Sequence, residues 1–192
     1  MKNKSMTRND QLYLQDQHHL VLGNTVLVRT FNRAIDSIAE LTALLHKAYK
    51  TWADQRIHFW AASQSNEVTL ERIRWAKCFV AVKENRIIGT ICFYSFTIKE
   101  DSALYKRSDV GRFGQFAVDP EYQKLGLGVA LLDIVEQHAV MIGKKYLALD
   151  TSERATGLIE YYNRLGFEHV EFIQWEKVNY RSTVMSKALT DY

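Results

Sequence analysis

The sequence predicts a mixed α/β fold built on one central sheet of about six to seven strands flanked by about four helices. Three observations predict it. Segments with strand patterning alternate with segments of helical spacing, in the order strand, two helices, three strands, helix, strand, helix, two strands. Residues 112–150 read as strand, helix, strand, a unit that closes as a right-handed parallel crossover. The chain of 192 residues is 47% hydrophobic and 24% charged, the balance of one globular domain that needs no disulfide or metal to hold it.

Each element has its own signal. Residues 1–22 read as a flexible N-terminal arm, ahead of a single domain over 23–192. Two-residue alternation over 25–29 marks the first strand. Ser37 and Glu40 have capping-box spacing, and Ile38, Leu41, Leu45, Ala48 and Trp52 then keep helical spacing. A second helix starts near Asn66 and carries Val68, Leu70, Ile73 and Trp75. Residues 78–82 and 86–96 are strands joined by a Lys83-Glu84-Asn85 turn, and Gly89 marks a bulge. Residues 97–110 are charged and unpatterned, a loop, and 112–118 are a strand stopped by Asp119-Pro120. The next helix carries Leu127, Leu131, Ile134, Val135 and Ala139 and ends at Gly143. A buried strand over 146–150, a helix over 155–165 closed by Gly166, and strands over 169–175 and 183–189 complete the chain.

Composition narrows the partners. A net charge of +3 is too small to indicate nucleic acid, and Arg72-Ile73-Arg74 reads first as a solvated helix face. Cys78 and Cys92 lie inside apolar runs as buried free thiols. The histidines form no zinc motif, so no metal is expected. Residues 1–17 lack the apolar segment of a secretory leader, and no stretch is long and apolar enough to span a membrane, so the expected location is cytoplasmic.

The chemistry concentrates at Gln123-Lys124-Leu125-Gly126-Leu127-Gly128, between a strand and a helix. A helix N-terminus offers unpaired amides and about half a positive charge, and glycine lets a phosphate approach closely. A dinucleotide fingerprint would need a third glycine where Leu131 stands. A nucleotide P-loop would need a hydroxyl where Lys145 follows Gly143-Lys144. The third pattern, Gln/Arg-x-x-Gly-x-Gly/Ala, fits in residue, spacing and context.

That pattern resembles the pyrophosphate loop of the GNAT N-acetyltransferase superfamily. Residues 114–128 are similar to the family's strongest stretch, and Tyr162-Asn163-Arg164-Leu165-Gly166-Phe167 to its second, Tyr-x-x-x-Gly-Phe. About three dozen residues separate the loop from that tyrosine, and the resemblance covers about residues 25–189. It implies acetyl-CoA as cosubstrate and an amine acceptor, acetylated by direct attack in a ternary complex. A small-molecule amine is favoured over a protein amino group, because the chain has no extra peptide-docking segment. The resemblance implies that the backbone amides of Leu125, Gly126, Leu127, Gly128 and Val129 hold the pyrophosphate, with Gln123 and Lys124 beside them. Phe116, Ala117 and Val118 would line the pantetheine arm, and the Val118 amide would meet the acetyl carbonyl.

The resemblance also implies that Tyr162 protonates the leaving thiolate, with Tyr161 packing on or covering the cofactor. Spacing alone reads Tyr162 as a core residue of an amphipathic helix. Asp150 at the end of its strand is the candidate general base, with a helix-capping carboxylate as the alternative; Gln115 cannot act as one. Ala155 stands where the family often carries an asparagine, a departure at one cofactor contact. Trp52, His58, Phe59, Trp60 and the loop 97–110 fall where the family builds its acceptor wall. Two further readings stay open: an acyl-CoA-binding module without turnover, and a homodimer formed through the tail and last strands.

Overall fold

The computed structural model describes residues 18–22, 24–96, 102–176 and 178–190. In chain order the elements are β1 (His18–Leu22), β2 (Asn24–Thr30), α1 (Ile38–Asp54), α2 (Asn66–Arg74), β3 (Lys77–Lys83), β4 (Arg86–Tyr94), β5 (Val110–Val118), α3 (Leu127–Met141), β6 (Tyr146–Ser152), α4 (Thr156–Arg164), β7 (Glu168–Gln174) and β8 (Arg181–Ala188). Short 3₁₀ turns occupy Trp60–Ala62 and Pro120–Tyr122.

Eight strands form one sheet in the order β1-β2-β3-β4-β5-β6-β8-β7. Every neighbouring pair is antiparallel except β5 and β6, the crossover expected from the strand–helix–strand unit. Seven strands match the sequence reading within a few residues. The eighth corrects the arm expected over residues 1–22, since His18–Leu22 pairs along β2 as an edge strand. A short segment beside an alternating strand gains a ladder of backbone hydrogen bonds without needing a strong pattern of its own. The rest of that arm lies outside the described residues.

The centre of the sheet is covered on both faces. From Ile87 to Tyr94 every residue of β4 is buried, which is why the segment reads as an apolar run rather than an alternation. On one face Ile88, Ile91 and Phe93 pack with Leu127, Leu131 and Val135 of α3. On the other, Ile87, Cys92 and Tyr94 pack with Leu41 and Leu45 of α1. Ile88 and Gly89 both face α3, a change of parity that comes from a β-bulge, because Val82 pairs with Ile87 while Ala81 pairs with Gly89.

The helix start at Ser37 is half of the expected capping box. Ser37 Oγ accepts from the Glu40 amide at 3.3 Å. The Glu40 carboxylate does not return to Ser37 but accepts from the Ile87 amide at the bulge, at 2.8 Å. One side chain thereby joins α1 to the irregular point of β4. Cys78 and Cys92 are buried free thiols in register on β3 and β4. Among the described residues, no helix is long and apolar enough to cross a membrane.

Candidate active site

The site begins where two strands part. β5 and β6 pair only from Val110–Arg112 with Tyr146–Ala148. Beyond Arg112, β5 carries its own bulge: Thr90 pairs with Ala117 and Cys92 with Gly114, leaving Gln115 and Phe116 opposite the single residue Ile91. Gln115 sits at φ +49 and is buried, a left-handed backbone that costs a non-glycine residue roughly 1–2 kcal/mol. β6 meanwhile stays paired with β8 to Ser152. The strands therefore open between them.

Backbone groups face that opening. The Asp119 amide donates to the Ile88 carbonyl of β4 at 2.9 Å. Peptide groups alternate along a strand, so the Val118 N–H points away from β4 into the gap. The Val118 carbonyl accepts from Gln123 Nε2 at 3.1 Å, and the Phe116 carbonyl from the Tyr49 hydroxyl at 3.1 Å.

The glycine loop closes one side of the opening. Lys124 and Gly126 take left-handed φ values of 62 and 87, which turn the chain into α3. Gly126 is the N-cap and supplies no side chain to the first-turn amides, so they stay available to an anion. A Cβ at Gly128 would lie 3.3 Å from the Tyr161 hydroxyl and 3.4 Å from the Phe116 ring. Leu127 is buried and anchors the loop in the core, whereas Leu125 and Val129 are exposed. A cleft of about 470 Å³ runs along this side. Phe116, Ala117, Val118, Gln123, Lys124, Gly126, Gly128, Val129, Tyr161 and Tyr162 all line it; Leu125 and Leu127 do not. Trp52, expected on the acceptor wall, lines this cleft instead.

A second cleft of about 350 Å³ lies on the other side of the splayed strands. Phe59 and Trp60 reach it as expected, together with Asp150. His58 lines neither cleft. Of the loop expected over 97–110, residues 97–101 lie outside the described residues, while Tyr105 is buried with its hydroxyl donating to Asp150 at 3.2 Å. Arg112 and Trp175 Nε1 also donate to Asp150, at 3.3 and 3.0 Å. The sequence reading did not single out Tyr49, Arg112, Trp175 or Tyr180, and met Arg72 only as a surface cation. All five line this cleft. A tryptophan and a tyrosine flanking the turn between the last two strands were the one available signal.

Tyr49, Phe116, Leu158 and Tyr162 line both clefts, so the two meet at Tyr162. Tyr162 is buried and makes edge contacts with Tyr161, Phe113 and Phe167. Burial pushes its phenol well above the usual tyrosine range, with Tyr49, Tyr161 and Asp150 adding to the effect. No group of three or more His, Cys, Asp or Glu residues among those described is placed to hold a metal ion.

This architecture, a sheet that splays beside a glycine loop at a helix start, is that of an acyl-transfer fold. The chain matches the acetyltransferase (GNAT) family over residues 39–167, and it belongs to that family. It is 31% identical over 140 residues to an S-(2-succino)cysteine N-acetyltransferase of Bacillus subtilis (strain 168), spanning 71% of this chain and 82% of the relative. Its fold is similar to the GNAT domain of S. lividans PAT, with a TM-score of 0.68, 15% identity and coverage of 91% of this chain and 98% of the other. It is also similar to a GNAT family acetyltransferase from Elizabethkingia anophelis with acetyl-CoA bound, at a TM-score of 0.61 and 18% identity, over 85% of this chain and 98% of that one.

Proposed function

We propose that the protein transfers an acetyl group from acetyl-CoA to the amino group of a small molecule, by direct attack in a ternary complex. The observation that carries this reading is the meeting of two clefts at one buried tyrosine: a cosubstrate and an acceptor entering from opposite sides would meet at Tyr162. The residues present fit acetyl-CoA. Gly128 leaves bare the backbone that a Cβ would crowd, the amides of Leu125, Gly126, Leu127, Gly128 and Val129 open a helix with no side-chain cap, and Gln123 and Lys124 flank them. Bound acetyl-CoA supplies an activated thioester.

The chain's own groups divide the remaining work. Phe116, Ala117 and Val118 present the strand edge along which the pantetheine arm runs. The Val118 N–H polarises the acetyl carbonyl; one such donor is worth about a hundredfold in rate. Asp150 orients the acceptor's ammonium and receives its proton through water. As the acceptor nitrogen bonds to the acetyl carbon and the carbon–sulfur bond breaks, Tyr162 gives its proton to the departing sulfur. A phenol that burial keeps protonated suits that role. Tyr161 covers the cofactor beside Gly128. A small acceptor is supported by the size of the second cleft and by the name of the B. subtilis relative, whose substrate is a modified amino acid.

The test is calorimetric titration with acetyl-CoA, with NAD and ATP as controls, followed by a thiol-release assay across a panel of amines. Micromolar binding of acetyl-CoA alone and amine-dependent thiol release are expected. A well-folded protein that binds no acetyl-CoA overturns the reading.

A further inference from the structure

Three buried side-chain atoms among the described residues have no hydrogen-bond partner: Arg112 Nε, Gln115 Nε2 and Thr151 Oγ1. All three belong to residues lining the second cleft. Leaving a buried polar group unpaired costs on the order of 1–3 kcal/mol, so their gathering in the wall of one cavity sets that wall apart as rich in unmet polar atoms. Two of the three atoms are donors only.

The polarity of the Gln115 amide is imposed by its neighbours. Arg72 donates to Gln64 Oε1 at 2.8 Å, and a guanidinium has no acceptor to offer in return. The Gln64 oxygen must therefore face Arg72, which turns its Nε2 towards Thr69 Oγ1 at 2.7 Å and Gln115 Oε1 at 3.2 Å. Gln64 is 2% exposed, so water does not reorient it. With its oxygen taken, Gln115 is left presenting NH₂, held by a left-handed backbone at φ +49. Arg72 itself stacks over Trp60, 5.4 Å from the ring centroid, and has no carboxylate partner among the described residues. The charge of Arg112, by contrast, is met by Asp150. Arg72 thus has no ion-pair partner among the described residues, although Glu176 also lines the cleft, and Gln64 links it to Gln115, whose amide donor lacks an acceptor.

We propose that the acceptor is an amino acid whose carboxylate is bound by Arg72 and Gln115 while its amino group is directed to Asp150 and Tyr162. This rests on the acetyl-transfer reading above for the identity of the reaction, but the carboxylate subsite stands on its own geometry. A donor pair around a planar anion discriminates strongly, because an amide in its place leaves the guanidinium without a counter-charge.

The experiment compares the standard L-amino acids with their carboxamides as acceptors, in the wild type and in Arg72→Met. For the preferred amino acid, kcat/KM is expected to exceed that of its amide roughly a hundredfold. Arg72→Met brings the two within about threefold by raising the KM of the acid, and Arg72→Lys, which keeps the charge without the fork, falls between. Calorimetry with the same acid and amide, without acetyl-CoA, supplies a readout independent of turnover and should show carboxylate-dependent binding that Arg72→Met removes. If acids and amides are acetylated equally, the carboxylate subsite is overturned and the acetyl-transfer reading stands. If no standard amino acid is acetylated while other amines are, the amino-acid acceptor is overturned and the acetyl-transfer reading stands; if no amine releases thiol, that reading falls and the calorimetric comparison decides the subsite by itself. Equal binding of acid and amide, or no binding of either, overturns it.

Discussion

The Tyr49 hydroxyl donates a 3.1 Å hydrogen bond to the Phe116 carbonyl, tying α1 to β5 on the side from which β6 has withdrawn. The bond substitutes for one that a neighbouring strand would have supplied. It also sets the width of the wall between the two clefts, since both residues line each of them. Tyr49→Phe keeps the ring and its edge contact with Phe59 but leaves the carbonyl unpaired. The expected cost is about 1 kcal/mol, or about 2–4 °C in Tm for a chain of this size. Thermal unfolding followed by circular dichroism checks it, and an unchanged Tm would show that water replaces the hydroxyl freely.

Removing the Tyr162 hydroxyl should separate chemistry from binding. Tyr162→Phe is expected to lower kcat by about a hundredfold while leaving the Kd for acetyl-CoA within about twofold. The phenol is held well above its usual value, mainly by burial. A raised acid stays protonated to higher pH, so loss of this group should not contribute a falling limb to kcat below about pH 10. A rate profile measured from pH 6 to 10 tests both statements. Full activity in Tyr162→Phe would remove the tyrosine from the proton-transfer step.

Gly128 gives a different separation. Alanine is favoured over glycine in a helix by roughly 1 kcal/mol, so Gly128→Ala should hold or slightly raise stability if the Tyr161 side chain yields a few tenths of an ångström. The same methyl group stands over the proposed phosphate cradle, and acetyl-CoA affinity should fall about tenfold, further for Gly128→Val. Parallel melting curves and calorimetric titrations read the two effects. Unchanged affinity in Gly128→Val would move the cofactor away from this loop.

How much of this was legible depended on the range of the cause. The glycine loop, the crossover unit and Tyr162 have signals within a few residues, and the sequence reading found all three. Tyr49 has none, because it follows Ala48 in a helical pattern and its partner lies sixty-seven positions away, exposed by the departure of β6. Arg72 reads as a surface cation because nothing local shows that α2 turns it towards Gln64 and β5. Gln115 was set aside as unable to act as a base. Its strained backbone and unpaired amide appear only once β5 bulges against β4. Glu40 shows the same limit from the other direction, since correct capping-box spacing was overridden by a tertiary acceptor site at Ile87.

Stability should fall steeply in alkali. Burial pushes Tyr49 up to about 12, and it raises Tyr105 and Tyr162 well above the ordinary tyrosine value and the Cys92 thiol well above its own. For the tyrosines, the folded protein keeps protons that the unfolded chain releases near pH 10, so the unfolded state binds fewer protons above that pH. Their contribution is fully present below about pH 10 and is lost as pH rises through the folded values. The buried thiol behaves in the same way, from its lower unfolded value of about 8.5. Urea unfolding at pH 8, 9.5 and 11 should show a falling midpoint, with most of the drop in the last interval. A flat midpoint would mean that these phenols reach water in the folded state.

Asp150 joins the structural and chemical halves of the site, and one substitution can weigh them. It pairs with Arg112, and the two side chains are 17% and 14% exposed. Asp150→Asn keeps the size and one oxygen for Trp175 Nε1 to reach, but leaves Arg112 as a buried charge with no anion beside it. Breaking such a pair from one side costs roughly 3 kcal/mol, whereas removing both charges costs much less. Asp150→Asn should therefore be clearly destabilised, and adding Arg112→Met should regain most of the loss while the amide oxygen still accepts from Trp175 Nε1, a coupling that a double-mutant cycle in urea measures. Burial also means that raising the salt from 0.05 to 0.5 M changes the coupling little, because screening acts mainly on exposed charges. The double variant then isolates the chemistry: it restores the fold without restoring a carboxylate in the acceptor cleft. If it folds and still transfers acetyl groups at the wild-type rate, Asp150 serves only to hold Arg112. If it folds and kcat/KM for the amine falls by tenfold or more with acetyl-CoA binding intact, the carboxylate acts on the acceptor.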